Sequence, residues 1–262
     1  MILTVQLYQH SFTQTERSDN LMNKTNINRG AFYVLGLLLL ALGIILNTKC
    51  GLGVSPIISV SYSVSTIGSF NFGNTTFMLY VVFVIVEMIL HTVRYLHEKN
   101  APNGAIFSIR RVLLFDVLQL PLSLVFTRFL NLFSAYIPDL ATDCTGTFLG
   151  SMAGRILILL LAIILTGIGA ALSLNMRIIP NPGDGIVQAI ADSIHKSVGF
   201  TKNCFDVCNI TFTIIVSLVF TGHLIGIGLG TVLAVIGVGR VVAVFNHLCW
   251  DTIARLTGFI KK

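Results

Sequence analysis

The apolar residues of this chain are gathered into long runs, among them Ala31 to Asn47, Phe77 to His91 and Ile156 to Leu174. Each approaches the ~20 residues needed to cross the hydrocarbon of a bilayer. Inside lipid every backbone N–H and C=O must be satisfied within the structure, which leaves helices and closed barrels. The alternating ten-residue pattern of barrel strands is missing, so the sequence predicts an all-α integral membrane protein. Composition agrees with this, because only 11% of the residues are charged, against about 25% in a soluble domain.

The formal charge of +6 does not point to nucleic acid, since Lys and Arg sit mainly in short stretches between apolar runs, where they orient a chain in the membrane. The five cysteines, at 50, 144, 204, 208 and 249, are odd in number and scattered, so no closed disulfide framework is expected and small packing roles are. Cys204 and Cys208 lie one helical turn apart but have no His or second Cys pair nearby to complete a metal site. The first 30 residues are polar and carry no small-residue cleavage site. They read as a cytoplasmic tail, within which Met22, followed by Asn23-Lys24, offers a second start.

A repeat is legible at a separation of 126 positions. Leu42-Gly43 meets Ile168-Gly169, Pro56 meets Pro182, and Gly51-Leu52-Gly53-Val54-Ser55-Pro56 meets Arg177 through Pro182. Each half has a long apolar helix, a Gly/Pro break and a short semi-polar segment (55 to 69; 183 to 199). Two further long helices follow in each (76 to 94 and 107 to 130; 206 to 222 and 224 to 249).

Whether the short segments cross decides the topology. Fifteen residues at 1.5 Å per residue reach only ~22 Å, short of a ~30 Å core, and Ser59-Val60-Ser61-Tyr62-Ser63 is a poor lipid face. Charge argues the same way. If the short segments do not cross, Arg17, Lys24, Arg29, Arg94, Lys99, Arg110, Arg111, Arg177, Lys196, Lys202, Arg255, Lys261 and Lys262 share the inside, leaving Lys49, Arg128 and Arg155 outside. If they do cross, that asymmetry nearly vanishes. The expectation is six transmembrane helices plus two short re-entrant or half-spanning helices, arranged as two inverted repeats because each half holds three spans. The corresponding divisions are a cytoplasmic tail (1–30), a first repeat (31–135), an external loop (136–151), a second repeat (152–250) and a cytoplasmic tail (251–262).

Irregular backbone at membrane depth survives only where protein buries it or water bathes it, so the two breaks mark the expected central site. Its candidate solute-binding residues are Gly53, Ser55 and Pro56 at the first break and Asn181, Pro182, Gly183, Asp184 and Gly185 at the second, with Asp116, Gln119 and Arg240 also walling the site. There Gly backbone and helix N-termini form a polar cradle. Arg240, flanked by Gly237-Val238-Gly239 and Val241-Val242, lies within a span and requires a counter-charge, for which Asp116, Glu87, Asp184 and Asp206 are candidates. Asp116 and Gln119, three apart on one helix face, are expected to point inward. Glu87, with His91 one turn on, reads either as a buried proton carrier or, the favoured reading, as the last interior group before the interface, and Asp206 as a cap at the start of its span. Gly226-Ile227-Gly228-Leu229-Gly230 follows no strand and is read as a packing motif. With no metal spacing, catalytic triad or phosphate loop, no enzyme activity, metal or cofactor is expected.

On Gly51-Leu52-Gly53-Val54-Ser55-Pro56, Asn181-Pro182-Gly183-Asp184-Gly185, Phe205-Asp206-Val207 and Gly228-Leu229-Gly230-Thr231-Val232 leading to Gly239-Arg240, the chain resembles the uncharacterised branch of the YczE/YyaS/YitT group of bacterial multi-pass membrane proteins. Pro180 adds a proline that departs from the pattern. The resemblance implies a bacterial inner-membrane protein and supplies no substrate.

Together these features lead to an expected transporter of a small polar or anionic solute, with a non-transporting accessory membrane protein as the alternative. The expected partners are the bilayer and that solute, with homo-oligomerisation left open and nucleic acid excluded. Both termini are expected in the cytoplasm.

Overall fold

The computed structural model describes residues 2–99 and 108–259. Among the described residues the regular structure is entirely α-helical, in eight helices: α1 (Ile2–Lys49), α2 (Pro56–Gly68), α3 (Phe72–Lys99), α4 (Ile109–Tyr136), α5 (Met152–Asn175), α6 (Pro182–Ile194), α7 (Val198–Thr221) and α8 (Leu229–Leu256). Six stretches of the described residues are long and apolar enough to cross a membrane: Thr25–Lys49, Phe72–His97, Ile109–Tyr136, Met152–Asn175, Val198–Thr221 and Leu229–Leu256. The chain is a multi-pass membrane protein. Stripes of exposed apolar side chains at helical spacing, such as Met78, Val82, Ile85, Ile89 and Val93 on α3, supply the surface that acyl chains wet.

The short helices α2 and α6 have 13 residues each, about 20 Å of helix. Both begin with a proline in the first turn, where a missing N–H costs nothing and φ is already helical. Both end on a residue in the left-handed region, Ser69 (φ 54°) and His195 (φ 53°), which stops the helix by turning the chain. Ser69 and His195 are 126 positions apart, as are the helix starts Pro56 and Pro182, Phe72 and Val198, and the helix ends Lys49 and Asn175. The repeat legible in the sequence is thus a repeat of element boundaries.

Several boundaries differ from expectation. Helix α1 begins ahead of the first apolar run, and α7 starts at Val198 under a Ser197 cap instead of at 206. Asp206 therefore lies well inside α7 and is no cap. Helices α4 and α8 run on to Tyr136 and Leu256, which makes part of the expected C-terminal tail helical.

At the centre α1 and α5 cross with their backbones in contact. A Cβ on Gly36 would lie 2.7 Å from the Ser173 amide N, and one on Gly43 2.6 Å from that of Thr166. Small residues permit this approach in bilayers. Around the crossing, Leu37, Leu40, Ala41, Ile44 and Ile45 of α1 pack with Ala170 and Leu172 of α5 and Ile58, Tyr80 and Phe126 from neighbouring helices.

The Ser-rich run of α2 faces protein. Ser59, Ser61, Ser63 and Ser65 are buried, and hydroxyl pairs join Ser59 to Thr213 (2.8 Å) and Ser63 to Ser217 (2.9 Å) of α7, and Ser61 to Thr76 of α3 (3.1 Å). The first break is stitched to the α7–α8 connection, because Val54 N donates to Gly226 O (2.8 Å) and Gly230 N to Leu52 O (2.7 Å). Gly53 needs its glycine there. Its φ is 117°, and a Cβ would sit 2.7 Å from the Gly228 amide N.

Candidate functional site

The first turns of α2 and α6 open onto one cavity of about 390 Å³, bounded also by α1, α3, α5, α7 and α8. That volume suits a small organic solute. Ser55, Pro56 and Ile57 line it from the first break, and Asn181, Gly183 and Asp184 from the second. Thr166, Tyr80 and Gln188 add polar atoms, while Leu40, Ile44, Ala170, Val187 and Val238 make much of the wall apolar.

The two helix starts are unequal. At α6 the Asn181 side chain accepts from Gly183 N, and the Asn181 carbonyl accepts from Asp184 N (2.8 Å) and Gly185 N (2.9 Å). At α2 the Ser55 side chain makes no capping bond. The α2 start therefore presents the less satisfied dipole end to the cavity.

Helix α7 brings the charge. Lys202 and Asp206, four apart and so on one face, both line the cavity and pair at 3.3 Å. Asp206 is 2% exposed, and its Oδ1 is buried without a hydrogen-bond partner. A buried acceptor in that condition is costly, and a donor group of a bound solute relieves it.

Of the residues expected at the site, Ser55, Pro56, Asn181, Gly183 and Asp184 line this cavity together. Pro182 is buried in the same turn of α6 without lining it. Gly53 borders a separate recess of about 370 Å³ between the first break and the α7–α8 connection, with Gly226 and Gly228. The glycines read as helix-packing residues thus serve the contact between two loops.

Asp116 and Gln119 are buried, as expected, on the α4 face that also carries Ser123, Phe126, Thr127 and Leu130, but they face α3 and not the cavity. His91 Nδ1 lies 2.8 Å from Asp116 Oδ2, and Gln119 Nε2 donates to Glu87 Oε2 at 2.6 Å. Glu87 is only 1% exposed, an interior group packed against α4. The fourth residue of α6, Gly185, packs on this pair.

Arg240 is exposed on α8, and no acidic residue among the described ones pairs with it. Asp116 and Asp206, two of its candidate counter-charges, are engaged by His91 and Lys202. The expected packing role for cysteine fits Cys50, which is buried, and not Cys204 or Cys208, which are exposed.

Sequence reasoning missed Lys202, although its spacing from Asp206 signalled a pair, and it missed the Glu87–Gln119 contact, which only the antiparallel register of α3 and α4 creates. No curated protein and no solved structure matches this chain. The model of a family of unknown function, DUF6198, matches residues 27–247, and the chain belongs to that family.

Proposed function

We propose that this protein is a transporter of a small polar solute, bound between the first turns of α2 and α6. The observation that carries the reading is that both broken segments, one from each half, open onto the same cavity. Paired interrupted helices with N-termini converging on a midplane site are the design of many secondary transporters. The unfilled α2 start and Lys202 suit an anionic group, and the unpartnered Asp206 Oδ1 suits a donor, so the preferred solutes carry both. In this reading α2 and α6 are re-entrant, the halves are inverted repeats, both termini are cytoplasmic, and the bilayer is the inner membrane that the YczE/YyaS/YitT resemblance implies. The chain has no enzymatic role.

The test is reconstitution into liposomes with a panel of labelled amino acids, carboxylates and sulfonates. Saturable uptake that is lost in Asp206→Asn or Lys202→Met supports the proposal. Binding and uptake indistinguishable from empty liposomes across the panel, with the protein folded, refutes it for these classes.

One observation favours the second reading, an accessory protein. Arg240 sits near the middle of α8 on its exposed side, and an unpaired charge at that depth calls for a counter-group from outside the chain. Loss of a co-purifying membrane partner in Arg240→Leu, with the cavity variants neutral, selects that reading.

A further inference from the structure

Glu87 and Gln119 leave two acceptors unpartnered deep in the α3–α4–α6 packing. Gln119 Nε2 donates to Glu87 Oε2, but Glu87 Oε1 and Gln119 Oε1 are both buried with no hydrogen-bond partner. They converge on one place. A Cβ added to Gly185 would lie 2.7 Å from Glu87 Oε1 and 2.9 Å from Gln119 Oε1. No cation compensates the carboxylate, since among the described residues Glu87 is in no ion pair. An ionised carboxylate in that setting is strongly disfavoured.

One added atom resolves the whole arrangement. A proton on Glu87 Oε1 donates to Gln119 Oε1, while Gln119 Nε2–H donates to Glu87 Oε2, closing a cyclic acid–amide pair in which both orphan oxygens are satisfied. Turning the amide over exchanges the partners and leaves the same need for one proton. We infer that Glu87 and Gln119 form a proton-binding site, in which Glu87 carries the proton and Gln119 shares it.

The site sits behind the solute cavity. Gly183 and Asp184 face the cavity while Gly185, in the same turn of α6, touches the acid–amide pair. Deprotonation places a negative charge and an acceptor–acceptor clash against that turn, so proton occupancy and the position of the α6 N-terminus are linked. This makes Glu87 the coupling site for a proton-driven transporter. The coupling rests on the transport reading above, whereas proton binding does not.

The titratable groups on the elements packed around Glu87 have other partners or face elsewhere. Asp116 comes from α4 and is paired with His91 of α3. From α6 come Asp184, turned to the cavity, and Asp192, paired with Arg94 at 3.1 Å. None of these satisfies the two orphan oxygens.

Infrared spectroscopy of the full chain in liposomes, titrated in pH, decides the matter. The carbonyl stretch of a protonated carboxylic acid is expected at neutral pH, lost on raising the pH and absent in Glu87→Gln, while Asp116→Asn keeps it. Gln119→Leu should shift the band to higher frequency by removing the amide acceptor, which keeps the test open should Glu87→Gln fold poorly. A carboxylate band assigned to Glu87 at neutral pH, or a band unmoved by Gln119→Leu, overturns the inference. For any panel solute the native protein moves, Glu87→Gln should abolish stimulation by an inward proton gradient, and undiminished stimulation overturns the coupling. Absence of transport by the native protein counts against the transport reading alone, and the infrared result still decides the proton site.

Discussion

Replacing Gly43 by alanine tests the central packing directly. A Cβ at this position meets Thr166 Oγ1, the Thr166 backbone N at 2.6 Å and the Ala162 carbonyl O at 2.8 Å. The hydroxyl can rotate, but the two backbone atoms belong to helix α5 and cannot withdraw separately. Restoring an ordinary contact of about 3.5 Å requires the helices to part by ~0.9 Å at this point. Overpacking of this kind costs about 1–3 kcal/mol, whereas alanine for glycine within a helix gains about 0.5–1 kcal/mol. The expected net loss is ~1–2 kcal/mol. Gly30→Ala on the same helix is the control, since nothing lies within 4 Å of its added Cβ, and it should be neutral or slightly stabilising. Gly169→Ala, which meets Gly36 O at 2.6 Å, should resemble Gly43→Ala. The assay is thermal unfolding in detergent, read as the monodisperse fraction surviving each temperature. Gly43→Ala and Gly169→Ala proteins as stable as Gly30→Ala would falsify the close crossing.

Further outcomes are expected elsewhere. Lys202→Met strips the only paired oxygen of buried Asp206 and should destabilise the fold by on the order of 2 kcal/mol, somewhat below a fully buried pair because Lys202 is partly exposed. The Lys202→Met/Asp206→Asn double variant should recover most of that loss in the same melt. Arg155 donates from Nε to Cys50 O and from a terminal guanidinium N to Gly51 O, both at 2.7 Å. Arg155→Ala should therefore cost about 1.5–3 kcal/mol and speed amide exchange at the first break, and no change in exchange there counts against the clamp. Burial pushes the Cys50 thiol up to about 11, opposed by the Arg155 guanidinium. Because the thiolate is the nucleophile, maleimide at neutral pH should spare Cys50, with Cys50 gaining reactivity only as the pH approaches that value. Ready labelling of Cys50 at neutral pH refutes its placement.

How much of this was legible in the sequence depends on the range of the interaction. The six spans and two short helices follow from local hydrophobicity and length, and the prolines that open α2 and α6 act within one turn, so Pro56 and Pro182 were readable. Convergence of Ser55, Pro56, Asn181, Gly183 and Asp184 on one cavity followed from the repeat, which relates distant positions. Side-chain partners were not readable. Glu87 reads as an interior group, yet only the register of α3 against α4 sets it beside Gln119. Arg240 looked like an interior charge on the strength of its apolar neighbours. Those neighbours establish depth along the span but not which face of α8 turns outward, and the outward face is set by glycine contacts with α5 such as Gly237 on Ile163. Helix α7 begins eight residues early because Ser197 caps it, and a polar first turn hides that start from any hydropathy window.

The uneven support of the long helices has a mechanical consequence. In its most apolar stretch α5 is 56% buried and α1 50%, whereas α8 is 11% buried, resting mainly on α5 and barely touching α7. In the first half, α4 is fastened to α3 by the Glu87–Gln119 and His91–Asp116 contacts. In the second half the space between α7 and α8 is occupied by the cavity. The molecule is therefore a stiff pillar with one compliant wall, and the compliant wall borders the cavity shared by α2 and α6. Elements with few buried contacts deform at the lowest free-energy cost. Any change in cavity volume is consequently borne first by α8, while α3 and α7 hold α2 and α6 in place.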